Sequence, residues 1–146
     1  MIIAGVDEAG RGCLAGPVVA AAVILSSPIE NLNDSKKLSK KMREIIYQKI
    51  LDTAQSVSIG IKWNDYIDKY NIKIASEHAM IDAIKRLNVK PDKILVDGFT
   101  LEIDVYNEGI IKGDQKIQEI MAASIVAKVT RDEIMRSFHY IYPAYD

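Results

Sequence analysis

Residues 2–6 (IIAGV) and 17–25 (PVVAAAVIL) are continuous apolar runs rich in β-branched side chains, the pattern of strands buried on both faces. A glycine-bearing loop, residues 8–16, joins them. Ser39 is suited to cap a helix whose apolar stripe is Met42, Ile45, Ile46 and Ile50. SVSIGI (56–61) alternates as a strand, NDYIDKY suits a short helix, and Ile74, Ile81, Ile84 and Leu87 mark one face of a longer one. After Pro91, KILVDG (93–98) and GIIKG (109–113) read as short strands. A helix is then expected from Gln115 to about Phe138, with EIMAASIVAKV apolar nearly all round and therefore buried. This order predicts an α/β sandwich around a mixed sheet. Its first two strands are antiparallel, and the later ones, reached through helices, are parallel.

The chain has 146 residues, a length that fits one domain spanning 1–146, and no repeat or linker divides it. No run approaches the ~18 apolar residues of a membrane span. The N-terminus has no basic region leading into a long apolar stretch, and Cys13 is the single cysteine. A cytoplasmic protein is expected. A net charge of −1 argues against a general nucleic-acid coat. Positive charge is local: DSKKLSKKMR (Asp34 to Arg43) is either a solvated helix entry or a phosphate-facing patch.

The acids fall at element ends. Asp7 and Asp97 close two strands, and if these are parallel neighbours both carboxylates emerge at the carboxyl edge of the sheet, where open α/β sheets bind ligands. Glu8 projects to the opposite side unless the chain turns, and Asp114 precedes the buried helix. Singly, Asp97 reads as a turn residue, Asp114 as a cap and Asp7-Glu8 as solvated. Together they suggest one acidic cluster. Two carboxylates ~4 Å apart repel by about 4 kcal/mol at an effective dielectric near 20, so such a cluster needs protons or cations. Oxygen donors without histidine or cysteine select Mg²⁺ or Mn²⁺, and a two-ion site suits phosphoryl chemistry. Gly10-x-Gly12-x-x-x-Gly16 is not the dinucleotide fingerprint. His78 reads as a packed or capping residue, His139 adds no ligand spacing, and Trp63 reads as packing rather than as a base-stacking platform.

With GVDEAGRG, NDSKKLS, ILVDG, and KGD followed by AASIVAKVTRD in one order, nearly the whole chain resembles ribonuclease HII. The resemblance implies a ribonuclease H-like fold, with a mixed five-stranded sheet flanked by helices. It also implies hydrolysis of the RNA strand in RNA–DNA hybrids, and incision 5′ of ribonucleotides embedded in DNA, leaving 3′-hydroxyl and 5′-phosphate. Asp7, Glu8, Asp97 and Asp114 then correspond to the catalytic, metal-binding carboxylates of a two-metal Mn²⁺ or Mg²⁺ site. Gly10, Arg11 and Gly12 correspond to the segment that reads the ribose 2′-hydroxyl, and Ser35 and Lys36 to a phosphate contact. Cys13 stands where the family commonly has proline. The family also continues beyond YPAYD through a His-Lys-Gly-Tyr segment, whose tyrosine matches none of Tyr140, Tyr142 or Tyr145. The expectation is a monomeric, C-terminally short catalytic domain with some core exposed at that edge, favouring weak stability or self-association. The alternative is a catalytically impaired, hybrid-binding remnant.

Overall fold

The computed structural model describes residues 1–11, 16–32 and 39–141, with side chains through residue 138. Five strands form one sheet: β1 (Ile3–Ala9), β2 (Val18–Ile24), β3 (Ser56–Lys62), β4 (Lys93–Asp97) and β5 (Asn107–Ile110). Their spatial order is β3-β2-β1-β4-β5. β1 pairs antiparallel with β2 and parallel with β4, and β4 pairs parallel with β5. The mixed sheet is the one the strand pattern predicts. β2 is buried at every position, as its unbroken apolar run requires.

Four helices flank the sheet: α1 (Lys40–Thr53), α2 (Asn64–Tyr70), α3 (Ile72–Lys85) and α4 (Gln118–Ile141). Ser39 caps α1 as expected, accepting from the Met42 N–H at 3.2 Å. Its apolar stripe is narrower than the periodicity suggests. Ile46 and Ile50 are buried, whereas Met42 and Ile45 are exposed, because α1 meets the molecule along one thin seam. The buried face of α3 keeps Ile84 of the expected residues, but takes Ala75, Ala79, Met80 and Ala83 in place of Ile74 and Ile81. Small residues let this helix lie close on β3, where the carbonyl of Ala79 occupies the space above Gly60.

α4 covers the other face. Its Met121, Ala122, Ala123, Ile125, Val126 and Val129 pack with Ala21 and Val23 of β2 and with Ile46 and Ile50 of α1. It crosses β1 so closely that a Cβ on Gly5 would stand 2.1 Å from the Glu119 carbonyl carbon. A glycine is required there by contact with backbone. The strand expected at 109–113 ends earlier, at Ile110. Lys112 then adopts the left-handed region (φ 54°), and Gly113–Gln115 form a 3-10 turn. No helix among the described residues is long and apolar enough to cross a membrane.

Candidate metal centre

β1 and β4 are parallel neighbours with Val6 beside Val96, so the next residue in each, Asp7 and Asp97, reaches the same sheet edge. Along β1 the faces alternate. Ala4 and Val6 join the core under α3, while Gly5 and Asp7 lie on the side covered by α4. Asp7 is therefore buried, only 4% exposed. Asp97 and Asp114 are half-buried.

Asp114 arrives by way of the 3-10 turn. Its backbone N–H donates to Asp97 Oδ1 at 3.3 Å, which ties the turn to the end of β4. Asp7, Asp97 and Asp114 each offer a carboxylate oxygen within 4.8 Å of the others. The expected convergence at the carboxyl edge is present in the geometry of these three.

Glu8 lies outside that group, as strand alternation anticipates, because β1 continues through Ala9. It remains electrostatically part of the site. Its backbone N–H donates to Asp7 Oδ1 at 2.8 Å, its Oε1 stands 3.9 Å from Arg11 Nη1, and its Oε2 is buried without a hydrogen-bond partner. Burial, then the neighbouring Glu8 and Asp97 charges, push the Asp7 carboxyl up to about 9. Burial also raises Glu8, opposed by its hydrogen bond with Asp7 and by the charge of Arg11.

This donor set fits a hard divalent cation. The group is all oxygen, places three carboxylates together, and has beside it a buried carboxylate oxygen, Glu8 Oε2, without a hydrogen-bond partner. A cation would satisfy the acceptors that protons otherwise must.

Beside the carboxylates, Gly10 and Gly16 hold the two ends of the glycine-bearing loop at φ 98° and 86°. Both lie against Arg131 of α4. A Cβ on Gly10 would meet Arg131 Nε at 2.3 Å, and one on Gly16 would meet Met135 Sδ at 2.3 Å and Arg131 Nη2 at 3.1 Å. Arg131 Nε also donates to the Pro17 carbonyl at 2.9 Å. Arg11, 40% exposed, extends from Gly10 over the Phe99 ring at 5.9 Å. Gly12, Ser35 and Lys36, also expected in the site, lie outside the described residues, as do Cys13 and Tyr142 and Tyr145.

Arg131 received no role from sequence pattern. A signal was present: it continues the row Ala123, Ala127 at helical spacing, so a cation extends a buried face. His78 is a structural residue as expected, hydrogen-bonded through Nδ1 to the Tyr66 hydroxyl. Trp63 packs as expected, on Phe138 with ring centroids 5.4 Å apart, and is 42% exposed.

The family model for ribonuclease HII matches residues 4–143. Ribonuclease HII of Thermotoga maritima is 54% identical over 144 residues, covering 99% of this chain and 60% of that protein. Ribonuclease HII of Ligilactobacillus salivarius is 52% identical over 145 residues, covering 98% of this chain and 57% of that protein. The crystal structure of ribonuclease H2 from Pyrococcus horikoshii superposes with a TM-score of 0.86 at 30% identity, covering 97% of this chain and 77% of its own. The sheet and its flanking helices are thus those of the ribonuclease H-like fold. The chain spans 57–60% of the length of the curated relatives it matches.

Proposed function

Because the chain belongs to the ribonuclease HII family, we propose that it is a metal-dependent endoribonuclease. It hydrolyses the RNA strand of RNA–DNA hybrids and incises 5′ of ribonucleotides embedded in DNA, leaving 3′-hydroxyl and 5′-phosphate ends. The observation carrying this reading is the approach of Asp7, Asp97 and Asp114 to within 4.8 Å at the carboxyl edge of the sheet.

Asp7, Asp97 and Asp114, with Glu8 alongside, are the residues that would hold the metal. Mn²⁺ or Mg²⁺ ions bound by this set would supply charge neutralisation at the phosphodiester and acidify the attacking water. The chain's own groups prepare the site. Burial and the neighbouring carboxylates favour the protonated form of Asp7, and a bound cation would favour its ionised form. Arg11 sets a guanidinium at the rim beside Glu8, where it can meet a phosphate without entering the acidic pocket. Gly10, Arg11 and Gly12 bring backbone close to the ribose. A 2′-hydroxyl, able both to donate and to accept, distinguishes RNA from DNA at that point. Ser35 and Lys36 hold a neighbouring phosphate. Water is the nucleophile, and the chain works as a monomer on the hybrid.

The test is incision of a DNA duplex carrying one ribonucleotide, in Mn²⁺ and separately in Mg²⁺, with Asp97→Asn in parallel. Metal-dependent incision on the 5′ side, lost in the variant, is expected. Cleavage retained in both Asp7→Asn and Asp97→Asn overturns the site assignment. Hybrid binding without incision replaces the nuclease reading with that of a binding remnant.

A further inference from the structure

The carboxyl edge of the sheet carries a second feature. In β2's pairing with its two neighbours, Val19 stands opposite both Ala9 and Ile61, and Trp63 follows Ile61 by two residues. Strand spacing and rise place Trp63 roughly 16 Å from Asp7, at the same edge. It is also on the same face. Lys62 reaches Asp82 of α3 at 2.9 Å, and the next residue turns to the α4 side, where it finds Phe138.

α4 connects the two places. Arg131 lies against Gly10, Met135 against Gly16, and Phe138 against Trp63. The aromatic pair therefore begins where the loop at the metal centre ends. Gly16, Trp63, Asn64, Asp65 and Phe138 line a cavity of about 160 Å³. This is below the ~300–1,000 Å³ of drug-sized sites and suits one flat ring.

Its chemistry selects the occupant. Among the described residues no cation lines the cavity, and Asp65 carries a carboxylate, so a phosphate is disfavoured. An uncharged aromatic ring gains from stacking on an indole face that water only partly covers. Trp63 is large, apolar and 42% exposed, and its ring is held by a tilted contact with Phe138, which lines the same cavity.

We propose that Trp63, backed by Phe138, is a stacking site for a nucleobase of the nucleic-acid substrate, a few nucleotides from the scissile phosphate. The proposal rests on the nuclease reading above and adds to it a contact with a base rather than with the backbone. Stacking of this kind tolerates any base, so it contributes affinity and register, not sequence choice.

Trp63 is the only tryptophan of the chain, so its emission reports the contact directly. The Asp97→Asn chain is titrated with a dye-labelled RNA–DNA hybrid for anisotropy, and with the unlabelled hybrid for tryptophan emission. Quenching that follows the anisotropy curve is expected. Trp63→Leu, which keeps an apolar partner for Phe138, should bind roughly tenfold more weakly, and Trp63→Phe should recover most of that loss. In the otherwise unaltered chain the same loss should fall on KM rather than kcat. A full anisotropy change with unaltered tryptophan emission, and Trp63→Leu binding like Trp63→Phe, overturns the stacking site while leaving the nuclease reading intact. No anisotropy change at all overturns the hybrid-binding reading on which it rests.

Discussion

Arg131 donates from Nε to the carbonyl of Pro17 at 2.9 Å, a bond between residues 114 positions apart. The same side chain fills the space beside Gly10 and Gly16, the two glycines with positive φ that bracket the loop. It thereby fixes where the loop leaves β1 and where it enters β2.

Arg131→Ala is expected to cost about 1.5–3 kcal/mol in stability, the usual worth of a hydrogen bond to a charged group. Urea unfolding measures that part. Its effect on function is separable, because a loosened loop should discriminate less well between a ribonucleotide and a deoxyribonucleotide. The ratio of incision rates on the two duplexes checks this. An unchanged ratio would assign Arg131 to folding alone.

Gly10→Ala places a methyl 2.3 Å from Arg131 Nε at φ 98°. Strain of about 1–3 kcal/mol is expected. Combining it with Arg131→Ala removes the contact with that side chain and leaves the Pro17 carbonyl at 2.7 Å, so the double variant should lose less than the sum of the single losses. A double-mutant cycle by urea unfolding decides it, and simple additivity would show that the two residues do not press on one another.

Asp7→Asn should raise the melting temperature of the metal-free protein at pH 7–8. The sign follows from the shift. Asp7 is raised from an ordinary 3.8 to about 9 in the folded state. Between these values the unfolded chain ionises while the folded one keeps its proton. Stability present below pH 4 is therefore progressively lost up to about pH 9. Asparagine never ionises and escapes the penalty. Thermal melts of both proteins across that range, in a chelator, should converge at low pH and diverge at high pH.

Divalent metal reverses the trend. Ligation requires the carboxylate, so affinity for Mn²⁺ should rise about tenfold per pH unit while one proton is released. At a free concentration about 100 times Kd the native state gains about 2.7 kcal/mol. The increase in melting temperature should grow from pH 6 to pH 8 and vanish in Asp97→Asn. A flat response to millimolar Mn²⁺ would overturn the metal site.

Gly5→Ala should destabilise by about 3 kcal/mol or more, because the added methyl would lie 2.1 Å from backbone of α4 rather than from a yielding side chain. The same displacement lifts α4 from Asp7 and admits water. The metal-free melt of this variant should consequently depend less steeply on pH than that of the unaltered chain.

The strands were legible in the chain because their cause is local: β-branched apolar runs cannot be solvated, and β2 and β4 fall within the expected segments, while β1 runs past the expected residues 2–6 to Ala9. Asp97 ends β4 as expected, whereas β1 continues past Asp7 to Ala9, and Ser39 identified the start of α1. Periodicity also located the helices, but not which face each would bury. The wide stripe of α1 is half in solvent, and α3 buries alanines in place of two of the isoleucines expected to face the core. A hydrophobic stripe records what a helix can bury, while the neighbour's shape decides how much of it meets a surface.

The site divides along the same line. The acids and the glycines are properties of the sequence, and their spacing suggested a cluster without bringing it together. The approach of Asp114 to Asp97 depends on a left-handed turn at Lys112, and the burial of Asp7 on the contact of α4 with Gly5. The Arg131 clamp and the Trp63–Phe138 pair join residues far apart in the chain. Element type is set by neighbours a few residues away. Distances across the sheet, and the proton affinity of Asp7 that follows from them, are set by the packing of all the elements at once.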